Sequence, residues 1–385
     1  MNRRNKQDED EFVSPPSIYD GEEGDDEDLW FLPPDEEGHP DGVEADAPFF
    51  FDFRSWREAE RDLLLDISDT AFHVGILSQK ITSLGDGIRD RLIRMEAAEL
   101  SWVSGERMAL DKLHSALALR KMPRSPEQIE TLQNIIWAWR TYQKRLDPLE
   151  DDIRLFLERH EVKGLQAHLL GEDGQDMQTA SLGILSGDAF MDRFEEWHEA
   201  MEQSAYLHPF TRSALAFFMW QAIEVTGRDS LYEAAVIAQK VGRFSKRNAL
   251  GFLPLASSGR PVFQRVGTVS ERLARWVKGA NNAALRCLME VERIEDWKSR
   301  TVPILKTRRG GKLEALRDVF VQNPVVSAEL IMGKLDVSHP TAMRLLDVFL
   351  TSHLVEEVTG YSRFRLWRIA GEGSLKLKSV KQEAL

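Results

Sequence analysis

The sequence has little cysteine, no long apolar run and few strand-forming segments. Cys287 is the only cysteine among 385 residues, so no internal disulfide can form and a disulfide-stabilised scaffold is excluded. The longest apolar run, residues 214–220, is far shorter than the roughly 20 residues that span a bilayer. The first residues lack the apolar segment of a signal peptide. We therefore expect a soluble, cytoplasmic protein without a membrane partner.

Lysine and arginine are absent from residues 8–46, a segment that contains 17 Asp or Glu residues. The net charge of the whole chain is −13, so the remainder sums to +4. A segment of this composition buries too little apolar surface to offset its ordering entropy, and residues 1–48 are predicted to form a disordered acidic tail. An aromatic cluster at residues 29–32 interrupts the acid. We expect the tail to solubilise the chain, to bind a protein partner, or to fold back on the basic module.

Apolar residues at helical spacing dominate residues 49–300, which are predicted to form an all-helical domain of unknown function. Helices are predicted over 55–80, 268–277 and 281–298, and another begins at Ser125. The most apolar helix, 211–225, is expected at the centre of the core. The fold class predicted is mainly α, with few strand signals before residue 350.

A basic linker, residues 301–310, leads to a C-terminal module at 311–370, and a flexible tail is predicted over 371–385. The module has the pattern of a winged helix-turn-helix with a small two-stranded β-hairpin. Ser327 and Ser338 are predicted N-caps of its second and third helices, and Pro340 lies in the first turn of the third. The turn between these helices is predicted at residues 335–337.

The third helix predicts a DNA-binding surface. Its buried stripe is formed by Ala342, Leu345, Leu346 and Phe349, so its first turn faces outward. Helix N-termini of this kind enter the major groove, while wing arginines contact phosphates or the minor groove. The predicted contacts to double-stranded DNA are made by Ser338, His339, Pro340, Thr341, Arg344, Arg363, Arg365, Arg308 and Arg309.

These features favour a non-enzymatic DNA-binding protein that acts as a transcriptional regulator, without a cofactor or metal. Its helical domain would sense a signal or form a homodimer. The alternative is a protein-interaction module that does not bind DNA, because residues 305–370 carry ten basic against seven acidic residues, which is a modest excess of +3.

The run LVEEVTGYSRFRLWRI, preceded by VSAELIMGKLDVSHPTAMRLLDVFL, resembles a family of uncharacterised proteins encoded on rhizobial and agrobacterial plasmids. The middle run HPFTRSALAFFMWQAIEVTG is also similar to that family. The resemblance covers residues 50–370. It implies a helical domain of unknown function joined to a helix-turn-helix DNA-binding domain.

A second alternative is a diverged transferase scaffold. His208, Pro209 and Phe210 resemble the start of the Fic motif, whose members transfer nucleotidyl groups. The residues that follow lack the glycine-rich anion site, the phosphate-binding arginine and the metal-binding acid of that motif. Because these groups are missing, we expect no catalytic residue here.

Overall fold

The structure is a computed structural model that describes residues 52–101, 108, 113, 125–157, 188–227, 231–307, 311–358 and 365–371. The predicted acidic tail and residues 372–385 lie outside these ranges. Within them the chain forms twelve α-helices: α1 (Phe53–Asp62), α2 (Leu64–Leu84), α3 (Asp86–Glu99), α4 (Pro126–Gln143), α5 (Ile153–Leu157), α6 (Asp188–Gln203), α7 (Pro209–Ala222), α8 (Leu231–Val241), α9 (Val269–Thr307), α10 (Gly311–Gln322), α11 (Ala328–Leu335) and α12 (His339–Thr351).

Strands in the described ranges are short and occur only near the C-terminus: β1 (Val326–Ser327), β2 (Val355–Glu357) and β3 (Leu366–Ile369). Two 3-10 turns, Ala256–Ser258 and Arg260–Phe263, lie between α8 and α9. The predicted fold class, mainly α with little β-structure, is confirmed. No helix in the described ranges combines the length and the apolar character needed to cross a lipid bilayer.

Helix α7 lies in the core, as its composition predicts. Its residues from Phe210 to Trp220 are buried, apart from Arg212. Tryptophans of two other helices donate to it: Trp197 Nε1 donates to the Ala216 carbonyl at 3.1 Å, and Trp276 Nε1 donates to Ser213 Oγ at 3.2 Å. These indoles therefore fill apolar volume without leaving their N–H groups unpaired.

The prediction of two helices at 268–277 and 281–298 is wrong. The structure has one continuous helix, α9, from Val269 to Thr307. Gly279 lies inside this helix, where a Cβ atom would come within 2.4 Å of Val262 Cγ2. Because Gly279 has no Cβ atom, the preceding loop, which contains Val262, packs closely against α9. Residues 301–307 of the predicted linker continue the helix, and residues 308–310 lie outside the described ranges. The single helix predicted over 55–80 is divided at Leu63 into α1 and α2.

The C-terminal module consists of α10, β1, α11, α12, β2 and β3. Its strands form one antiparallel sheet in the order β1-β3-β2, rather than the predicted two-stranded hairpin. The sequence pattern missed β1 because a strand of two residues shows no alternation. Val326 pairs with Trp367, and Val355 pairs with Ile369. Strand β3 therefore joins the entry to α11 with the wing formed by β2 and β3.

The C-terminal module packs directly against the preceding helices. Trp297 of α9 is fully buried, and its Nε1 donates to the Leu354 carbonyl at 2.7 Å. Arg91 of α3 is also buried. Its Nη1 donates to the Phe320 carbonyl at 3.0 Å, near the C-terminal end of α10, and its Nε donates to Glu290 of α9 at 2.5 Å. All the described residues accordingly lie in one compact unit.

Candidate nucleic-acid interface

The turn between α11 and α12 sets the position of the third helix of the module. Ser327 caps α11 as predicted, because its Oγ accepts the Leu330 N–H at 3.1 Å. Asp336 ends α11 in the left-handed conformation, with φ of 49°. Aspartate tolerates this region better than most residues because its short side chain forms local hydrogen bonds. Lys312 of α10 donates to the Leu335 carbonyl and so ties the turn to the first helix.

Helix α12 begins after Ser338, the predicted N-cap residue. The Ser338 carbonyl accepts the Ala342 N–H at 2.9 Å, but its side chain makes no capping bond to the backbone. Its Oγ instead lies 3.0 Å from Thr341 Oγ1. In the part of the chain that the structure describes, the amide N–H groups of His339 and Thr341 have no hydrogen-bond partner. Unpaired amides at a helix N-terminus favour an anionic group such as a phosphate.

The exposed side of α12 contains the residues that the sequence predicts there. Ser338, His339 and Pro340 are exposed and Thr341 is half-buried. Arg344 is exposed, and it makes no ion pair with any residue of the described ranges. These five residues, which we call the α12 surface, therefore combine hydroxyl groups with an unpaired cation, as an element that enters a DNA groove requires.

The opposite side of α12 anchors it in the module. Ala342, Leu346 and Phe349 are fully buried, and Leu345, predicted to be buried, is half-buried. The Phe349 ring lies 6.0 Å from the Phe320 ring of α10, measured between centroids. The packing fixes which side of the helix faces outward.

The arginines of the wing were predicted to be available to DNA, but in the structure the two described ones pair with acidic neighbours. Arg365 Nε donates to Glu357 Oε2 at 2.8 Å, and this bond raises the pKa of Arg365. Its guanidinium also lies 5.4 Å from the centroid of the Trp367 ring. Arg368 donates to Glu356, its cross-strand neighbour, at 2.8 Å. Both described wing arginines are thus partly neutralised.

The remaining predicted contacts, Arg308, Arg309 and Arg363, lie outside the described residues. One further exposed cation, on the helix that precedes the turn, was not among the predicted contacts. Lys334 is exposed in the last turn of α11, two residues before Asp336. Its position just before the turn of the helix-turn-helix could have been read from the sequence as a further candidate for a DNA contact.

The order of elements, three helices followed by a wing, and the outward-facing start of the third helix are those of a helix-turn-helix module. Residues 313–370 match the model of a family described as "HTH DNA binding domain". The match begins inside α10, ends just after β3 and includes the whole α12 surface; we call residues 313–370 the HTH domain. A search of curated proteins finds none that is similar to this chain.

Outside the HTH domain, the residues that resemble a Fic motif have a local structural role. His208 precedes α7 as its N-cap, and its Nδ1 accepts the Phe210 N–H at 3.2 Å. The His208 amide donates to Glu60 Oε2 at 2.8 Å, and burial lowers the pKa of His208. One imidazole nitrogen of His208 is therefore occupied in capping a helix.

Proposed function

We propose that this protein is a non-enzymatic transcriptional regulator that binds duplex DNA by placing the first turns of α12 in the major groove. The α12 surface supports the proposal, because it lies inside the matched HTH domain and leaves Arg344 exposed and unpaired among the described residues. In this arrangement the amides of His339 and Thr341 bind a phosphate, and Arg344 reaches a base edge.

The contribution of the wing is proposed to be smaller than that of α12. Arg365 and Arg368 are paired with Glu357 and Glu356, so each must exchange a protein carboxylate for a DNA phosphate before it contributes to affinity. The free energy of DNA binding gained per arginine is then smaller than for an unpaired cation, because an existing ion pair must first be broken. Recognition then rests mainly on the helix.

The test uses the full chain, because the side chain of Trp297, a residue of α9, completes the core of the HTH domain and would be lost from a C-terminal fragment. A preferred duplex is first selected from a random library, and its affinity is then measured by fluorescence anisotropy over a range of salt concentrations. Arg344→Gln is expected to weaken binding by about tenfold or more and to relax base preference at one position, because one bidentate contact discriminates bases by about 1–3 kcal/mol.

The matched control is Arg247→Gln, which removes the same charge from an exposed loop of the helical part. It is expected to leave the affinity close to that of the unmodified protein. Equal losses for the two variants would show that α12 does not provide the specific contact.

A protein-interaction module is the second candidate, and the paired wing arginines favour it. Under this alternative the α12 surface contacts a protein, and no duplex is enriched from the random library even at low salt. The interaction-module alternative is excluded if a defined duplex is enriched by the unmodified protein and this enrichment is lost in Arg344→Gln.

A further inference from the structure

A cleft of about 530 Å³ lies in the helical part of the chain, beside the first turn of α7. Its volume is in the range of about 300–1,000 Å³ that is typical of small-molecule sites. None of its lining residues belongs to the HTH domain, so DNA binding does not account for it. Its apolar part is formed by Leu149, Ala205, Pro209, Val241 and Phe244.

Arg212 supplies a half-buried cation to this cleft. Its Nη2 donates to the Met201 carbonyl at 3.0 Å. Its Nε is buried and has no hydrogen-bond partner among the described residues. Burial lowers the pKa of Arg212, since the guanidinium has lost part of its hydration, but an arginine remains charged. A partly desolvated cation with an unsatisfied N–H group favours an anionic ligand.

The other cations of the cleft are already paired. Arg243 Nη2 lies 2.5 Å from Asp147 Oδ2, and Lys246 Nζ lies 2.5 Å from Glu150 Oε2. These two pairs tie the loop after α8 to the segment between α4 and α5. They leave Arg212 as the cation whose charge is least compensated.

Two further titratable groups line the cleft on α6. His198 Nε2 lies 3.1 Å from the Leu149 carbonyl, and His198 Nδ1 lies 3.9 Å from Glu202 Oε1. With Glu202 included, three acidic residues balance the three Arg and Lys residues that line the cleft. The balance disfavours a dianionic phosphate and suits a ligand with one negative charge.

Phe244 lies at the cleft with a strained backbone. Its φ is 63°, a conformation that costs a residue other than glycine roughly 1–2 kcal/mol. The residue is 47% exposed, and its ring centroid lies 5.6 Å from that of His208 and 5.8 Å from that of Phe210. Strain that holds an aromatic ring partly in solvent is common at ligand sites, where the ring gains contacts once the ligand binds.

We propose that this cleft binds a small organic monocarboxylate, with its carboxylate on Arg212 and its apolar body against Phe244.

Calorimetric titration of the full chain with phenylacetate tests the site, with phenylacetamide and inorganic phosphate as comparison ligands. Phenylacetate is expected to bind at least about tenfold more tightly than the neutral amide, because only the carboxylate forms charge-assisted hydrogen bonds. It is also expected to bind more tightly than phosphate. Equal affinities for acid and amide, tighter binding of phosphate, or no heat of binding at millimolar phenylacetate would each overturn the proposal.

Three variants locate the ligand. Arg212→Gln is expected to reduce phenylacetate affinity by about tenfold, because the charged donor is lost. Phe244→Gly should weaken binding several-fold without lowering the thermal midpoint, since glycine adopts this φ without strain. Arg247→Gln, an exposed cation in the same loop that does not line the cleft, should leave affinity unchanged.

Unchanged binding in Phe244→Gly, or equal loss in Arg212→Gln and Arg247→Gln, contradicts the assignment. Circular dichroism of each variant shows whether it is folded, and Phe244→Gly keeps the test decisive if Arg212→Gln unfolds. The titration contains no DNA, so its outcome is independent of the proposed regulatory function.

Discussion

Trp297 provides a direct test of whether the HTH domain and the helical part unfold together. The indole belongs to α9, outside the matched residues, yet it is fully buried against the HTH domain. Its ring centroid lies 6.2 Å from that of Phe320 and 6.2 Å from that of Phe349. Its Nε1 donates to the Leu354 carbonyl, which also accepts the Ala370 N–H at 3.1 Å.

Two substitutions at this position separate packing from hydrogen bonding. Trp297→Ala removes a large buried aromatic side chain and is expected to cost about 3–5 kcal/mol in free energy of unfolding. Trp297→Phe keeps most of the ring and loses one hydrogen bond, which contributes about 1 kcal/mol because the Leu354 carbonyl retains its bond to Ala370. Its smaller ring also leaves a void. A total of about 1–3 kcal/mol is therefore expected for the phenylalanine variant.

The assay is urea unfolding of the full chain, followed by far-ultraviolet circular dichroism and by DNA binding in parallel. Met289→Ala is the matched control, because Met289 lies on the same helix with 68% of its surface exposed, and it should cost less than about 0.5 kcal/mol. Similar costs for Trp297→Ala and Met289→Ala would refute the packing argument. A separate early transition confined to DNA binding would show that the two parts do not unfold as one unit.

Changes of charge test the wing and a buried carboxyl group. Glu357→Gln releases Arg365, so the affinity for duplex DNA should rise at low salt. The slope of the logarithm of affinity against the logarithm of salt concentration should steepen by about one. An unchanged slope would place the wing away from DNA. Glu96 is buried and accepts the N–H groups of Leu255 and Ala256, and burial raises its pKa to about 7. The folded state then binds this proton more tightly than the unfolded state, so the free energy of unfolding should fall as pH rises from about 4.5 to about 7. Glu96→Gln should remove that decrease in urea titrations, and an equal decrease in both proteins would contradict the assignment.

Much of the fold follows from local sequence chemistry. Helical spacing predicted both α11 and α12, and Ser327 caps α11 as its position predicts, whereas Ser338 begins α12 without a side-chain capping bond. The apolar composition of α7 likewise predicted its burial. These properties depend on neighbours along the chain and need no knowledge of tertiary contacts.

Features set by distant residues were missed. Gly279 looks like a helix breaker in sequence, but it is required where Val262 approaches α9. Trp297 looks like one more apolar residue of a long helix. Its contacts with Leu354, Phe320 and Phe349 show that it packs into the core of the HTH domain. The cleft at Arg212 combines four separated segments, so no local pattern could indicate it.

The charge of the candidate DNA surface shows most clearly why composition was an incomplete guide. Counting residues gave the C-terminal module a small positive excess, but the count does not say which cations are available to phosphates. Register decides this: Glu356 lies opposite Arg368, and Glu357 pairs with Arg365. Among the described residues of the HTH domain, the exposed cation without an ion pair on the proposed recognition helix is Arg344. Because each neutralised phosphate adds about one to the salt slope, a surface with so few unpaired cations among its described residues should depend on groove contacts for its affinity more than on backbone attraction.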